Sequence, residues 1–515
     1  MAPAGARAAA GAPRRGGAAR GRAGAGVPSG PAGPAGPARP AGPGGAGGGG
    51  REIRQDLDGG VLGLGHLGGV LGPPRANPCQ YARRYVSDED RVAVQSLVHG
   101  SDESIGATCQ GAAIYDASDD TCIPVPPFAY RSGPREEVFF DPKEVQAAVV
   151  TCGGLCPGLN DVVRGIVETL ESYGVPKGNV IGVRYGLRGF YQVEHPPVIL
   201  TSQVCRGIQH QGGTILGTSR GGADVVRIVD AVQNRGINMV FVIGGNGGNA
   251  AAAAIQDECE ARSYGCAVVG VPKSIDNDIL LIDRTFGYDT AVEVAVEAIK
   301  AATTEATSAL RGVGLVKLMG RQSGFIAANA SLSAGDVDAC LIPEETFEVH
   351  GEHGLLQFIE KKVSEQGHCV IVVAEGALQG SLASEDAGAA TDASGNAILE
   401  DVGRYLRKEI KSYFRQGGRQ QVDLKYIDPS YMIRSVETNA SDKILCIGLA
   451  QGAVHGAFAG FTGFTVGMIN NHCCYLPISL VVCAPKVVDV HGKQWQRVLS
   501  TTRQPRLESN PDSSR

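Results

Sequence analysis

The sequence predicts an α/β fold built on parallel sheets. From about residue 145, short apolar runs alternate with stretches of helical character. That alternation implies a parallel sheet covered on both faces. One run, Phe241-Val-Ile-Gly-Gly-Asn-Gly-Gly-Asn249, breaks into glycines and leads to the helix-prone Ala250–Ile255. It reads as strand, tight loop and helix start. Another, Val269-Gly-Val-Pro-Lys-Ser-Ile-Asp-Asn-Asp278, ends in a polar loop holding a lysine and two carboxylates. In such sheets ligands sit off the carboxyl ends of the strands, where both loops lie. Glycines let backbone N–H groups approach an anion, and a helix N-terminus adds partial positive charge. A phosphate cradle beside a carboxylate pair points to phosphoryl transfer.

In chain order, residues 1–50 are mostly Ala, Gly, Pro and Arg. Such a composition buries too little apolar surface to order itself. Arg-rich and acid-free, it fits an organelle transit peptide, plastid or mitochondrial, although Ser29 is its one serine. A compositionally biased disordered tail is the other reading. Residues 51–143 show no strong period and read as an extension packed on the main body by a few segments. The main body is expected over 144–502, with a disordered tail at 503–515.

Within the body, strands are expected at Val145–Thr151, Val180–Val183, Met239–Ile243, Ala267–Val271, from Gly314, at Ala339–Pro343, at Cys369–Glu375 and last at Ile478–Cys483. Helices are expected at Asp161–Leu170, Ile255–Arg262, Thr290–Leu310, Ile398–Phe414 and Ser441–Ala459. Gly376 to Gly395 reads as a small-residue, acidic loop, and Tyr426–Arg434 as a turn with an arginine behind it.

Net charge is −6 over 515 residues. The first fifty carry +6, which leaves −12 on the remaining 465. An acidic body argues against nucleic acid as the main partner. No apolar run approaches the ~18 residues that cross a bilayer. Fourteen cysteines without metal-ligand spacing read as free, mostly buried thiols. His455 and His472 lack partner ligands at metal spacing and read as structural.

Several motifs stand in one order: Gly153-Gly154 with Pro157-Gly158, Gly213-Thr-Ile-Leu-Gly-Thr-Ser-Arg220, Gly244-Gly245, Pro272-Lys-Ser-Ile-Asp-Asn-Asp278, Lys317-Leu-Met-Gly-Arg321, Ala374-Glu-Gly376 and Tyr431-Met-Ile-Arg434. The set resembles the ATP-dependent 6-phosphofructokinase family, in its plant-type branch, over about residues 145–485. The resemblance implies two Rossmann-like lobes with parallel sheets and a site between them. It implies phosphorylation of fructose 6-phosphate at its 1-hydroxyl, with Mg2+ and ATP, in a homo-oligomer (dimer or tetramer). It places Gly154, Ser219, Arg220, Gly244, Gly245, Asn246 and Gly247 at ATP, with Asn246 at the metal. It places Ser274, Ile275, Asp276, Met319, Gly320, Arg321, Glu375, Tyr431 and Arg434 at the sugar phosphate, with Asp276 as proton acceptor. Lys425, nine residues before Arg434, is assigned to the 6-phosphate.

These residue types suit the chemistry. Phosphoryl transfer needs positioning and charge neutralisation more than covalent help. Asp276 serves as base only if ionised and within hydrogen-bond reach of the hydroxyl. Arg321 and Arg434 offer paired donors in a fixed plane. Lys273 is a point charge close to the base, and Asp278 is a metal-side or structural carboxylate. Outside the motif set, Arg321 would read as a surface ion pair, Asp276 as a turn cap, Glu375 as a solvated acid and Tyr431 as a core tyrosine.

The pattern also breaks. The family usually writes the metal loop Gly-Gly-Asp-Gly-Thr or Ser; here it is Gly244-Gly-Asn-Gly-Gly248. The amide keeps an oxygen ligand but removes the charge that a hard Mg2+ favours. Pyrophosphate-using relatives carry Asp at the position of Gly247, so the glycine tilts the donor to ATP. Leu187 and Gln322 replace usual tyrosines, and Gly452 a usual asparagine. Two other readings stay open: a catalytically impaired subunit that binds fructose 6-phosphate in mixed oligomers with active paralogues, and a pyrophosphate-dependent enzyme. The expected address is the plastid, with the cytoplasm as alternative.

Overall fold

The computed structural model describes residues 61–96, 113–116, 121–382 and 399–507. The expected leader, most of the expected 376–395 loop and the end of the tail lie outside these residues.

Two sheets carry the molecule, a larger mixed one with a parallel centre and a smaller all-parallel one. The larger runs, edge to edge, through Val198–Ile199, Val180–Val183, Ala147–Thr151, Met239–Gly244, Ala267–Pro272, Phe464–Ile469, His472–Pro477, Phe128–Arg131 and Arg91–Ala93. Its five middle strands, from 180–183 to 464–469, are mutually parallel, and the flanking strands are antiparallel. The smaller sheet orders Ala339–Leu341, His368–Ala374, Gly312–Leu318 and Asp423–Ile427, all parallel. Every residue of the 147–151, 239–244 and 267–272 strands is buried, as expected for strands covered on both faces. Register aligns Val149 with Phe241 and Phe241 with Val269, so the strands end level at Gly244 and Pro272.

Helices cover the faces. Leu159–Tyr173, Tyr288–Ser308 and Ala440–Phe458 contribute to one continuous apolar core that also takes in residues of the smaller sheet. Side-chain caps set several starts: Asp224 accepts from Arg227 N, Asp401 from Arg404 N and Asn439 from Asp442 N.

The structure corrects several expectations. The helix placed at Ile255 starts at Asn246 and runs to Ala261, because the glycines of the loop form its first turn. The strand expected at Ile478–Cys483 is a short helix, Ile478–Val481. The last strands are Phe464–Ile469 and His472–Pro477, a hairpin turned by Asn470 and Asn471 at φ 48° and 63°. Two successive positive φ values match the twist of a hairpin, and Asn tolerates them. The turn expected at 426–434 divides into the strand Asp423–Ile427 and the helix Ser430–Arg434. Helices Val225–Asn234 and Lys493–Thr502 are additional. From the 51–143 segment, the strands at 91–93 and 128–131 join the large sheet. Free thiols have one exception among the described residues, since Cys122 is disulfide-bonded.

Candidate functional site

The two loops singled out in the sequence meet. Lys273 N donates to Gly244 O at 2.9 Å, so the second loop starts on the end of the first. Asn249 Nδ2 donates to the carbonyls of Gly244 and Gly245, at 3.3 and 3.2 Å, and fixes the opening of the helix. Asn246 stands at the first helical position, where its Nδ2 donates to Asp278 Oδ2 at 3.4 Å. Its Oδ1 is buried without a partner. A Cβ built on Gly247 would meet no atom within 4 Å.

The carboxylate loop is pinned from several sides. Ser274 Oγ donates to Asp278 Oδ1. Asn277, at φ 58°, accepts from Thr285 N and donates to Asp283 O. Thr285 Oγ1 donates to Ser274 O at 2.5 Å. Between these pins Asp276 points an Oδ1 that is shielded and unpartnered. Burial, aided by the charges of Asp278 and Glu375, pushes the Asp276 carboxyl up to about 8; Lys273 and Arg321 pull against it.

The smaller sheet brings the rest. Its 312–318 strand ends in Met319-Gly320-Arg321, beside Glu375 at the end of the 368–374 strand. Glu375 N donates to Leu318 O and Gly376 N to Gly320 O, each at 2.9 Å. Gly320 takes φ 130°, and a Cβ there would lie 2.3 Å from Ser323 O, so only glycine fits. Arg321 Nε stands 3.9 Å from Glu375 Oε1. Burial raises the Glu375 carboxyl against the pull of Arg321 and Lys317. Ser323 Oγ donates to Asp276 O at 3.2 Å, joining the two sheets at the candidate base.

Cations gather over the Gly153-Gly154 loop. A Cβ on Gly154 would stand 3.9 Å from both Arg220 Nη2 and Arg434 Nη1, and one on Gly153 would lie 3.5 Å from Lys273 Nζ. Gly153 N donates to Ser219 O at 3.0 Å, and Thr218 Oγ1 to Gly153 O at 2.8 Å. Arg434 lies 4.6 Å from the Tyr431 ring. Tyr431 is 75% exposed, not a core tyrosine. Ile275 is buried and Met319 half-buried.

Lys425 is the assigned residue that the fold does not bring in. Its ammonium sits 3.2 Å from Asp423 and 3.7 Å from Glu305. Its register partner Gly314 precedes Leu318 by four residues. At strand rise that is about 13 Å from the end where Arg321 begins. A lysine nearer that end, Lys317, pairs instead with Asp401 at 3.2 Å and Asp428 at 2.8 Å. The sequence reading did not single out Glu344 or Lys486. Glu344 accepts from Gly324 N and Val488 N. Lys486 donates to the carbonyls of Ile282 and Asp283. A lysine within an apolar C-terminal run was the available signal.

A cavity of about 670 Å3 lies elsewhere, lined by Arg84, Arg164, Lys443 and His455 among others. None of the residues assigned by resemblance lines it. Among the described residues, no helix is long and apolar enough to cross a membrane.

The oxygens at the cleft fit Mg2+. Unpartnered Asn246 Oδ1 and the Asp278 carboxylate are hard donors, and Mg2+ in phosphate sites needs only one or two protein ligands beside phosphate oxygens and water. No cluster of three His, Cys, Asp or Glu occurs among the described residues, so a closed all-protein cage is not what they offer.

Comparison with known proteins gives one consistent result. The family model "Phosphofructokinase" matches residues 146–457. The chain is 52% identical over 421 residues to ATP-dependent 6-phosphofructokinase 5, chloroplastic, of Arabidopsis thaliana, covering 82% of this chain and 76% of that one. It is 45% identical over 383 residues to the ATP-dependent 6-phosphofructokinase of Borreliella burgdorferi, covering 73% and 85%. Among solved structures, a pyrophosphate-dependent phosphofructokinase from Marinobacter aquaeolei superposes with TM-score 0.58 at 20% identity, over 72% of this chain and 94% of that one. At that identity the likeness concerns the fold.

Proposed function

The chain belongs to the phosphofructokinase family, and from that premise we propose that it phosphorylates fructose 6-phosphate at the 1-hydroxyl with ATP as donor. The observation that carries the site assignment is the shielded, unpartnered Oδ1 of Asp276, where Ser323 joins the two sheets and Lys273 and Arg321 flank the carboxyl.

The sugar's 1-hydroxyl oxygen attacks the γ-phosphorus, the bond from that phosphorus to the bridging oxygen of ADP breaks, and the hydroxyl proton passes to Asp276 Oδ1. Asp276 must be ionised for this, so Lys273 and Arg321 act by lowering its proton affinity against the burial that raises it. Arg220 and Arg434, converging on Gly154, neutralise phosphate charge from one side. Backbone N–H groups at the start of the 246–261 helix face the phosphates from the other. Arg321, with Glu375 beside it, and Arg434 orient the sugar phosphate. Asn246 Oδ1 and the Asp278 carboxylate would hold Mg2+, which when bound would supply charge neutralisation on the donor phosphates.

Open space at Gly247 supports ATP over pyrophosphate as donor. A plastid address rests on the basic, acid-free leader and the chloroplastic Arabidopsis relative. A homo-oligomer is supported by Tyr431, Met432, Ile444 and Ile447, apolar side chains exposed on neighbouring helices in sequence. Turnover of the purified protein is measured with Mg-ATP and, separately, with pyrophosphate. Formation of fructose 1,6-bisphosphate with ATP is expected. Turnover with pyrophosphate alone, or with neither donor while the sugar phosphate still binds, would overturn the reading.

A further inference from the structure

The 312–318 strand lies inside the smaller sheet, and six of its seven residues are buried. The exception is Lys317, whose side chain is still only 12% exposed. An ammonium so shielded is costly unless acids answer it. Two do: Lys317 Nζ stands 2.8 Å from Asp428 Oδ2 and 3.2 Å from Asp401 Oδ1. Burial works against the ammonium, but Asp428 and Asp401 outweigh it and hold its proton affinity above the ordinary lysine range. Burial likewise raises the Asp428 carboxyl, and the bonds from Lys317 and Ser430 bring it below its ordinary value.

Each acid opens a different helix. Asp428 follows the 423–427 strand, whose register sets Ile427 opposite Val316. Its Oδ1 accepts from Ser430 N at 3.2 Å and from Ser430 Oγ at 2.7 Å. Its two oxygens thus divide between Lys317 and the start of the Ser430–Arg434 helix, which carries Tyr431 and Arg434. Asp401 accepts from Arg404 N at 3.1 Å and starts the Val402–Arg415 helix. Just before it, Glu400 N donates to Gln379 Oε1 at 3.1 Å, and Gln379 Nε2 donates to Glu375 O at 3.0 Å. On its own strand Lys317 leads into Met319-Gly320-Arg321, and its neighbour Leu318 accepts from Glu375 N. Arg321, Glu375, Tyr431 and Arg434 therefore hang from elements that meet at one ammonium.

We propose that Lys317 is a positioning residue for the sugar phosphate: through Asp428 it holds the Tyr431–Arg434 helix in register with Arg321 and Glu375, with Asp401 as its second anchor. This rests on the functional reading above. The sugar phosphate needs Arg321 and Arg434 as one preformed pair, and a shift of about 1 Å in either is costly. The nucleotide depends on it less, because Arg220 and the 246–261 helix are carried by other elements.

The test compares the full chain with Lys317→Met and Asp428→Asn. Lys317→Met leaves two acids without their counter-charge and should melt at lower temperature. Asp428→Asn strands no charge: its oxygen still accepts from Ser430, Asp401 still pairs with Lys317, and an amide NH2 faces the ammonium where an acceptor stood. Fructose 6-phosphate, and β,γ-imido-ATP with Mg2+, are titrated separately by calorimetry at a temperature where the proteins are folded. Fructose 6-phosphate is expected to bind about tenfold weaker in Lys317→Met and about three- to tenfold weaker in Asp428→Asn, the order of one lost charge-assisted bond. The nucleotide should stay within about threefold, and KM for fructose 6-phosphate should rise while kcat holds within about threefold, as for a loss of ground-state binding. A lower melting temperature with unchanged sugar-phosphate affinity would overturn the assignment, and so would equal losses for the two ligands. If Lys317→Met does not fold, Asp428→Asn decides alone. A parent protein that binds no fructose 6-phosphate would instead sink the functional reading. Hydrogen exchange of the 429–435 backbone would then decide the tie: faster exchange in the variants upholds it, and unchanged exchange overturns it.

Discussion

Asn246 hands an amide hydrogen to Asp278 across 3.4 Å, so a neutral group faces the carboxylate where the family usually writes a second acid. Asn246→Asp would set two carboxylates against each other. Without metal they repel; with Mg2+ between them the repulsion becomes a binding site. The variant is expected to melt at lower temperature in chelator and to regain stability as Mg2+ is added. It should reach half-maximal rate at lower Mg2+ and gain about tenfold in kcat, or ~1.4 kcal/mol of barrier. Thermal shift with and without Mg2+, beside a Mg2+ titration of the rate, checks both.

Asp276→Asn removes the proton acceptor and should lower kcat about 10²- to 10⁴-fold. Its stability should move the other way. Because the folded carboxyl is pushed up to about 8 from an ordinary 3.8, the protonated form is the one the fold favours. That favourable contribution is complete below the ordinary value and is lost as pH rises through about 8. The amide has no such dependence. Melting temperatures of the pair from pH 5 to 9 should diverge in favour of Asn, with the gap levelling above pH 8. A constant gap would contradict the burial of this carboxyl.

Lys486 ties the carboxylate loop to the C-terminal segment. Its Nζ donates to Ile282 O at 2.7 Å and Asp283 O at 3.1 Å, and its N donates to Asp278 O at 3.0 Å. Burial drives its ammonium down to about 8, against the pull of Asp283 and Asp278. Lys486→Met leaves two carbonyls without a donor and should cost about 2 kcal/mol. Urea midpoints read that loss. A concurrent fall in kcat would show that the loop carrying Asp276 depends on the tie.

In Gly247→Asp the new Cβ would meet no atom within 4 Å and the backbone needs no positive φ, so the melting temperature should hold. The charge would face donor phosphates, and KM for ATP should rise about tenfold or more, with that for fructose 6-phosphate unchanged. Initial rates over both substrates check this.

The sheet framework was legible because its strands are apolar runs buried on both faces; Met239–Gly244 and Ala267–Pro272 match the expected spans to within a residue. The contents of both loops were legible too, since glycines and charges after such runs have few other uses. Three kinds of feature escaped. Asn246-Gly-Gly-Asn249 reads as loop by propensity, yet Asn249 ties back to the strand end and the helix starts there. The 464–477 hairpin was hidden because its turn uses Asn470-Asn471 where Asn-Gly is the stronger signal. The place of Lys425 was invisible because motif spacing gives order along a strand, not which end reaches the cleft; the register with Gly314 supplies that.

One last property follows from the order of the large sheet. The strand His472–Pro477 is hydrogen-bonded on its outer side to Phe128–Arg131, which is in turn covered by Arg91–Ala93. The family match begins only at 146. A chain trimmed of everything before residue 146 would keep its catalytic groups but lay bare on His472–Pro477 a row of unpaired amides and carbonyls, ready to recruit a strand from any neighbouring molecule. The segment ahead of the match thus shields a sticky border, and its removal would appear first as clumping in solution.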